Sequence, residues 1–253
     1  MVGRKDLSLA QTNLQLHQQL ISDGADDQDI ATVERAYELT INLFPSTYRP
    51  SGKAFISHLI GVASALRSWN QPLPVVMSGL LHSAYLYGEF GDRTRGFSFA
   101  KQATLKRELG DTTEALIREY TRLDNICLLD GSQGDEIEDI HIMLRLADLL
   151  DECMDGGPCF ARHKPLPMNM PFDMESRSVI LDLADRLAGP TGIAQFESAF
   201  RFCDLTRERS VPTSTVRGSQ VKSAGLPGFR PNLLRLVKRR LRRTLRRLQK
   251  ICL

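Results

Sequence analysis

Two apolar stretches decide the fold: AFISHLIGVASALRSW at residues 54–69 and VVMSGLLHSAYLY at residues 75–87. In the first stretch, large apolar residues recur at the spacing that gives a helix one buried face: Phe55, Leu59, Val62 and Leu66. The second stretch is apolar on nearly every side, which is typical of a central helix buried all round. We predict one helix over each stretch, separated by Pro72 and Pro74.

The patterns on either side also predict helices. Apolar residues at i, i+4 spacing run from Val33 to Phe44 and end at Pro45. Asp111 followed by Glu114 predicts a capping box at the start of another helix. Further helices are predicted over residues 136–153, 178–187 and 191–205. Because no stretch shows sustained alternation of apolar and polar residues, the predicted fold class is all-α.

The composition narrows the class of protein. With 42% hydrophobic and 25% charged residues, the 253-residue chain resembles an ordinary globular protein, which excludes wholesale disorder. It has no run of ~18 apolar residues that would predict a membrane span. The N-terminal MVGRKDLSLAQTN lacks the apolar core of a secretory signal. Five scattered cysteines, an odd number, favour reduced thiols in a cytoplasmic protein over a disulfide framework.

Charge and composition divide the chain into three parts. We predict a helical domain over residues 1–208, a flexible linker over 209–229 that is rich in Ser, Thr, Gly and Pro, and a basic tail helix over 230–253. The four prolines of residues 156–173 predict a surface loop or lid within the domain.

The tail carries ten of the 33 basic residues and no acidic residue, which leaves 23 basic against 30 acidic residues in the rest of the chain. Its apolar residues form one helical stripe: Leu234, Val237, Leu241, Leu245, Leu248 and Cys252. This pattern predicts a helix that lies on an anionic membrane surface, and so peripheral attachment at the inner face of the membrane. The alternatives are binding to nucleic acid, and packing on the acidic domain.

Three polar residues interrupt the apolar helices: His58, His82 and Asp148. Each one alone could be a core residue whose hydrogen bonds are satisfied. A buried carboxylate, however, needs a cation or hydrogen-bond donors nearby. Imidazole nitrogens and a carboxylate are also the ligands that a divalent ion such as Zn²⁺ prefers. We therefore predict that the three side chains converge on one cation or one hydrogen-bonded network.

Three segments carry a resemblance to a known family: RPSGKAFISHLIGVASAL at 49–66, GLLHSAY at 79–85 and LRLADLLDE at 144–152. They resemble the HD superfamily of metal-dependent phosphohydrolases, and most closely the hydrolase domain of Rel/Spo-type (p)ppGpp enzymes. The resemblance implies an HD-like helical bundle in which His58, His82 and Asp148 hold a divalent ion such as Mn, Fe or Zn.

The chain departs from that family's motifs at several positions. Ser83 stands where the aspartate of the His-Asp pair is expected, so one of four ligands is missing. The acidic pair that follows in the family falls on Leu86 and Tyr87, and the asparagine of the last motif falls on Glu152. Only one residue of the family's basic pair is kept, in Arg49. These differences argue against hydrolysis of (p)ppGpp itself.

Glu89 and Asp92 follow the His82 helix and are the candidates for a general base or a second metal ligand. The alternative is that they are exposed acids in a glycine-flanked loop.

Four residues are candidates for binding the substrate. Arg49, Ser51 and Lys53 form a small basic turn suited to a phosphate oxyanion, unless the turn only connects two helices. Tyr85 could stack on a substrate, although packing in the core is the alternative.

Two hypotheses for the function follow. The first is a metal-dependent hydrolase that acts on a small phosphorylated molecule or nucleotide. The second is a binding or regulatory protein that keeps the HD scaffold at the membrane surface without catalysis. The sequence contains no nucleophile–base signature, no Walker loop and no dinucleotide fingerprint.

Overall fold

The computed structural model describes residues 7–129, 139–160 and 174–208, and it shows an all-α helical bundle. Within these ranges, the one extended pairing is an isolated bridge between Tyr48 and Ala54. The helices are α1 (Asn13–Ser22), α2 (Asp27–Leu43), α3 (Phe55–Ser68), α4 (Leu73–Leu81), α5 (Ala84–Tyr87), α6 (Phe99–Leu109), α7 (Asp111–Leu129), α8 (Asp139–Met154), α9 (Gly157–Phe160) and α10 (Met174–Glu208).

Helices α3 and α4 form the centre of the bundle. They pack against each other, and α3 also packs against α8, which in turn packs against α10. Every residue from His58 to Leu66 and from Val75 to Leu81 is buried. The all-α prediction is therefore confirmed, and the apolar stretches at 54–69 and 75–87 lie in the core, as their apolar character requires.

The second stretch is not one helix, as predicted, but two. Helix α4 ends at Leu81, and α5 begins at Ala84 after Ser83 leaves the helical conformation (φ −96°, ψ 6°). The His82 ring Nδ1 donates to the carbonyl of Gly79 at 2.8 Å. That carbonyl would otherwise accept from the backbone N–H of Ser83 in a continuous helix. The break therefore allows the His82 ring to bind the last turn of α4, which fixes the position of the ring.

Two further predictions need correction. Asp111 is the first residue of α7, not its cap, and the carboxylate of Glu114 is buried, where it accepts from the Tyr85 hydroxyl at 2.7 Å. The two helices predicted over 178–187 and 191–205 are longer and meet at a kink, where Gly189 has φ 63° just before Pro190. Helices α1 and α6, each with a hydroxyl residue at its N-cap, were not predicted.

The predicted linker at 209–229, the tail helix at 230–253 and most of the proline-rich loop lie outside the described residues. In the part of the chain that the structure describes, no helix has the length and apolar character needed to cross a bilayer.

Candidate metal centre

The three polar residues predicted to converge do meet in the core. His58 lies in the first turn of α3, His82 caps the end of α4, and Asp148 lies on α8. One candidate ligand atom from each lies within 4.8 Å of the other two. The three residues are almost fully buried, with exposed fractions of 0%, 2% and 5%. This group could hold a metal ion.

His58 is anchored through its Nδ1. That atom lies 2.7 Å from Oδ2 of Asp151, and because a carboxylate only accepts, we assign the proton to Nδ1. Lys53 binds both oxygens of Asp151, at 2.8 and 2.9 Å. Histidines that bind metals commonly donate their other N–H to a carboxylate in this way, which fixes the ring and its tautomer. The lone pair of the His58 ring is then on Nε2.

His82 is anchored in the same sense, by the backbone. Its Nδ1 donates to the Gly79 carbonyl, so Nε2 is the nitrogen with a lone pair. Burial lowers the pKa of His82 from 6.5 to about 4, because a desolvated imidazolium is unfavourable. The ring is therefore neutral at ordinary pH, which is the form that binds a metal.

Asp148 offers the third ligand atom. Its Oδ2 accepts from the Tyr120 hydroxyl at 2.9 Å, whereas its Oδ1 is buried and takes part in no hydrogen bond among the described residues. Oδ1 lies 3.2 Å from Nε2 of His58, so two electron-pair acceptors face each other. Burial opposes the ionisation of Asp148, but the positive charge of Arg49 favours the carboxylate, and the pKa of Asp148 lies well below its ordinary value. A cation between these atoms would satisfy both, and the donor set therefore fits a divalent ion.

The residues that support these ligands were not predicted. Asp151 and Glu152 follow Asp148 at i+3 and i+4 and so share its face of α8. In the sequence, that spacing alone indicates that the two acidic side chains lie near Asp148. Gly61 makes room for Asp151, because a Cβ on Gly61 would overlap the Asp151 carboxylate.

The basic turn faces the centre instead of solvent. Arg49 is buried and contacts His58 and Glu152, and Lys53 pairs with Asp151 and Asp155. These contacts join the turn to α8. A role of Arg49, Ser51 and Lys53 in binding a phosphate stays a prediction.

The other predicted site residues lie apart from these contacts. Tyr85 is completely buried and its hydroxyl binds Glu114, which favours the packing alternative. Glu89 and Asp92 are exposed in the loop after α5. Asp92 accepts from the backbone N–H and the hydroxyl of Thr94, at 3.0 and 2.6 Å. Their catalytic role stays a prediction.

The lowered pKa of His82 predicts a pH dependence of stability in metal-free protein. An unfolded histidine titrates near 6.5, so between pH 6.5 and 4 the unfolded chain binds the extra proton. The stabilisation is complete above that window and decreases as the pH falls through it, by about 3 kcal/mol in total. Asp148 and Asp151, whose pKa values are lowered, lose their contribution mainly below about pH 5.

Urea unfolding of chelator-treated protein at a series of pH values would measure this effect. The difference between wild type and His82→Gln isolates the histidine, because both proteins keep the carboxylates. A difference that does not change between pH 6.5 and 4 would contradict the assignment of a neutral, buried His82.

Comparison with known proteins agrees with the predicted similarity to Rel/Spo-type enzymes, over less than half of the chain. Residues 42–125 match a family described as a domain of unknown function, DUF6817. A probable GTP pyrophosphokinase of Mycobacterium leprae is 27% identical over 109 residues, which cover 43% of this chain and 13% of the relative. A GTP pyrophosphokinase of Streptomyces coelicolor is 24% identical over 112 residues, which cover 44% and 12%. The chain thus spans about an eighth of the length of these relatives.

Proposed function

We propose that the helical domain is an HD-like, metal-dependent hydrolase of a phosphate ester or nucleotide. One observation carries the proposal: both histidines have Nδ1 anchored by an acceptor, which leaves the lone pair of each ring on Nε2, beside Asp148. The similarity to proteins named for action on GTP supports a nucleotide as the substrate. The resemblance to the HD motifs supports the same reaction class.

Each residue has a role in this proposal. His58, His82 and Asp148 hold the ion, and Asp151 and Gly79 orient the two rings. A divalent ion held there would supply Lewis-acid chemistry, by acidifying a water molecule and polarising the substrate's phosphoryl group. Glu89 or Asp92 acts as the general base, and the turn with Arg49, Ser51 and Lys53 binds the substrate's phosphate.

A catalytically inactive scaffold is the alternative, and one observation favours it. The guanidinium of Arg49 already places a positive charge beside His58 and Asp148. With Ser83 in the position of a fourth ligand, the chain could keep the fold and bind a nucleotide without hydrolysing it. Such a protein would act as a binding or regulatory module at the membrane surface.

Release of phosphate or pyrophosphate from a panel of nucleotides, with and without Mn²⁺, tests the two. We expect Mn²⁺-dependent release by wild type and its loss in His82→Ala. His17→Ala, which changes a histidine of α1 outside the metal group, is the matched control and should keep full activity. Nucleotide binding without turnover at any metal concentration would favour the inactive scaffold.

The tail is the part of the proposal that rests on sequence alone. The ten basic residues and the leucine stripe of 230–253 support attachment to the anionic inner face of a membrane in the cytoplasm. Cosedimentation of the full chain with anionic and with neutral vesicles tests it. Binding to anionic vesicles alone is expected, and no binding to either would contradict it.

A further inference from the structure

Arg49 places its side chain inside the candidate metal centre. The residue begins a tight turn, in which its backbone N–H donates to the Lys53 carbonyl at 2.8 Å and Gly52 has φ 94°. Its side chain is 7% exposed. Nη1 lies 2.6 Å from Nε2 of His58 and 3.6 Å from Oδ1 of Asp148, and Nη2 pairs with Glu152. The arginine thus contacts two of the three candidate ligands.

The same lone pair cannot serve both cations. A guanidinium only donates, so at 2.6 Å Nε2 of His58 is the acceptor of a hydrogen bond from Arg49. A metal ion bound to His58 needs that lone pair. Arginine keeps its proton at any ordinary pH, so it cannot give up the position by deprotonation. It has to move.

The charges lead to the same conclusion. Asp148, Asp151, Glu152 and Asp155 face the cations Arg49, Lys53 and Arg145 in a connected set of ion pairs. With neutral histidines, the carboxylates exceed the cations by one. A divalent ion in addition to Arg49 would leave an excess of positive charge in the core, whereas a divalent ion in place of Arg49 makes the set neutral. Charge balance in a buried site therefore favours exchange.

We propose that Arg49 and a divalent ion are alternative occupants of one cation position, so that metal binding requires the Arg49 side chain to turn out of the centre. The inference rests on the proposed metal site and adds its regulation. In the metal-free protein the positive charge of Arg49 offsets the negative charges of Asp148 and Glu152. A bound divalent ion supplies that positive charge in its place. The long side chain can leave without moving α3, because the turn precedes the first residue of that helix.

A competing arginine lowers the apparent metal affinity. The apparent association constant equals the intrinsic one multiplied by the fraction of molecules in which the arginine is turned out. If that conformation has a population of about 1 to 10%, removing the competitor tightens binding about 10- to 100-fold. We expect this gain in Arg49→Met, measured by calorimetric titration with Mn²⁺, and a smaller gain in Arg49→Lys. Lys53→Met is the matched control, since it removes one charge from the same turn at a side chain that pairs with Asp151 and Asp155.

The outcomes separate this inference from the proposed function. A gain confined to Arg49 variants supports the exchange. Equal gains in Arg49→Met and Lys53→Met indicate a general charge effect and overturn it, as does unchanged or weaker binding in Arg49→Met. If wild type and Arg49→Met both fail to bind Mn²⁺, the proposed metal site fails and this inference fails with it.

Chemical modification tests the exchange in wild-type protein, without any variant. Phenylglyoxal should modify Arg49 slowly in chelator-treated protein and about tenfold faster or more once Mn²⁺ has saturated the site, as peptide mass spectrometry reports. Arg67 is the internal standard. It pairs with Asp23 at a distance of 3.0 Å, and neither residue belongs to the metal group, so the rate at which Arg67 is modified should not change. Protection of Arg49 that is the same with and without bound Mn²⁺ would overturn the inference.

Discussion

Gly61→Ala is expected to destabilise the protein by about 1 to 3 kcal/mol, although the same change inside a helix ordinarily stabilises it by up to ~1 kcal/mol. A Cβ at this position would overlap Oδ1 of Asp151 and lie 2.6 Å from its Cγ. Asp151 cannot retreat freely, because His58, Lys53 and Gln11 all bind its carboxylate. Either α8 moves away from α3, or Asp151 leaves His58. Urea unfolding measures the loss, and weaker Mn²⁺ binding should accompany it.

A double-mutant cycle shows whether the carboxylate is the cause. In an Asp151→Ala background the overlapping atoms are gone, so the added methyl group of Gly61→Ala should cost little or be favourable. The same cost in both backgrounds would mean that Gly61 is needed for another reason. It would also remove the evidence that the glycine exists to admit Asp151.

Asp151→Asn is expected to weaken metal binding about 10- to 100-fold, although Asp151 itself is not one of the three candidate ligands. Its carboxylate accepts from Nδ1 of His58 and pairs with Lys53, and those contacts lower its pKa although burial opposes the ionised form. The neutral amide removes the negative charge that makes the His58 ring a stronger ligand. It also leaves Lys53 with one acidic partner, Asp155. We expect a stability loss of several kcal/mol, of the order measured when one member of a buried ion pair is removed.

Asp155→Asn is the matched control. Asp155 binds the same Lys53, at 3.1 Å, but its side chain is 44% exposed, and Nδ1 of His58 binds Asp151 instead. We expect little change in metal affinity or stability. Similar effects of the two substitutions would show that the charge on Lys53, not the orientation of His58, matters for metal binding.

The sequence could predict the helices and the meeting of three side chains, because both follow from burial. An apolar stretch such as 54–69 has to be covered, and polar groups within covered helices have to share partners. The break after Leu81 could not be predicted, since it depends on the His82 ring taking the Gly79 carbonyl from the backbone. The pattern of apolar and polar residues does not indicate whether the His82 ring or the Ser83 N–H binds that carbonyl.

The direction of Arg49 was also beyond the sequence. A basic residue in a turn ordinarily faces water, and here it faces inward because α8 brings three carboxylates to the same place. The part played by Asp151 was hidden for a related reason. In the sequence, an acidic residue at the border of an amphipathic helix is ordinarily assigned to the solvent-exposed face. The structure shows that Gly61, which has no side chain, lets α3 approach Asp151 closely enough for His58 to bind it.

Metal content is the measurement that tests the central claim most directly. The purified 253-residue chain, stripped with a chelator and titrated with Mn²⁺, Fe²⁺ or Zn²⁺, should bind a single ion per chain at His58, His82 and Asp148. His82→Ala should abolish binding while circular dichroism shows the helical fold intact, and His17→Ala should bind as wild type does. A fully folded wild-type protein that binds none of these ions would contradict the account.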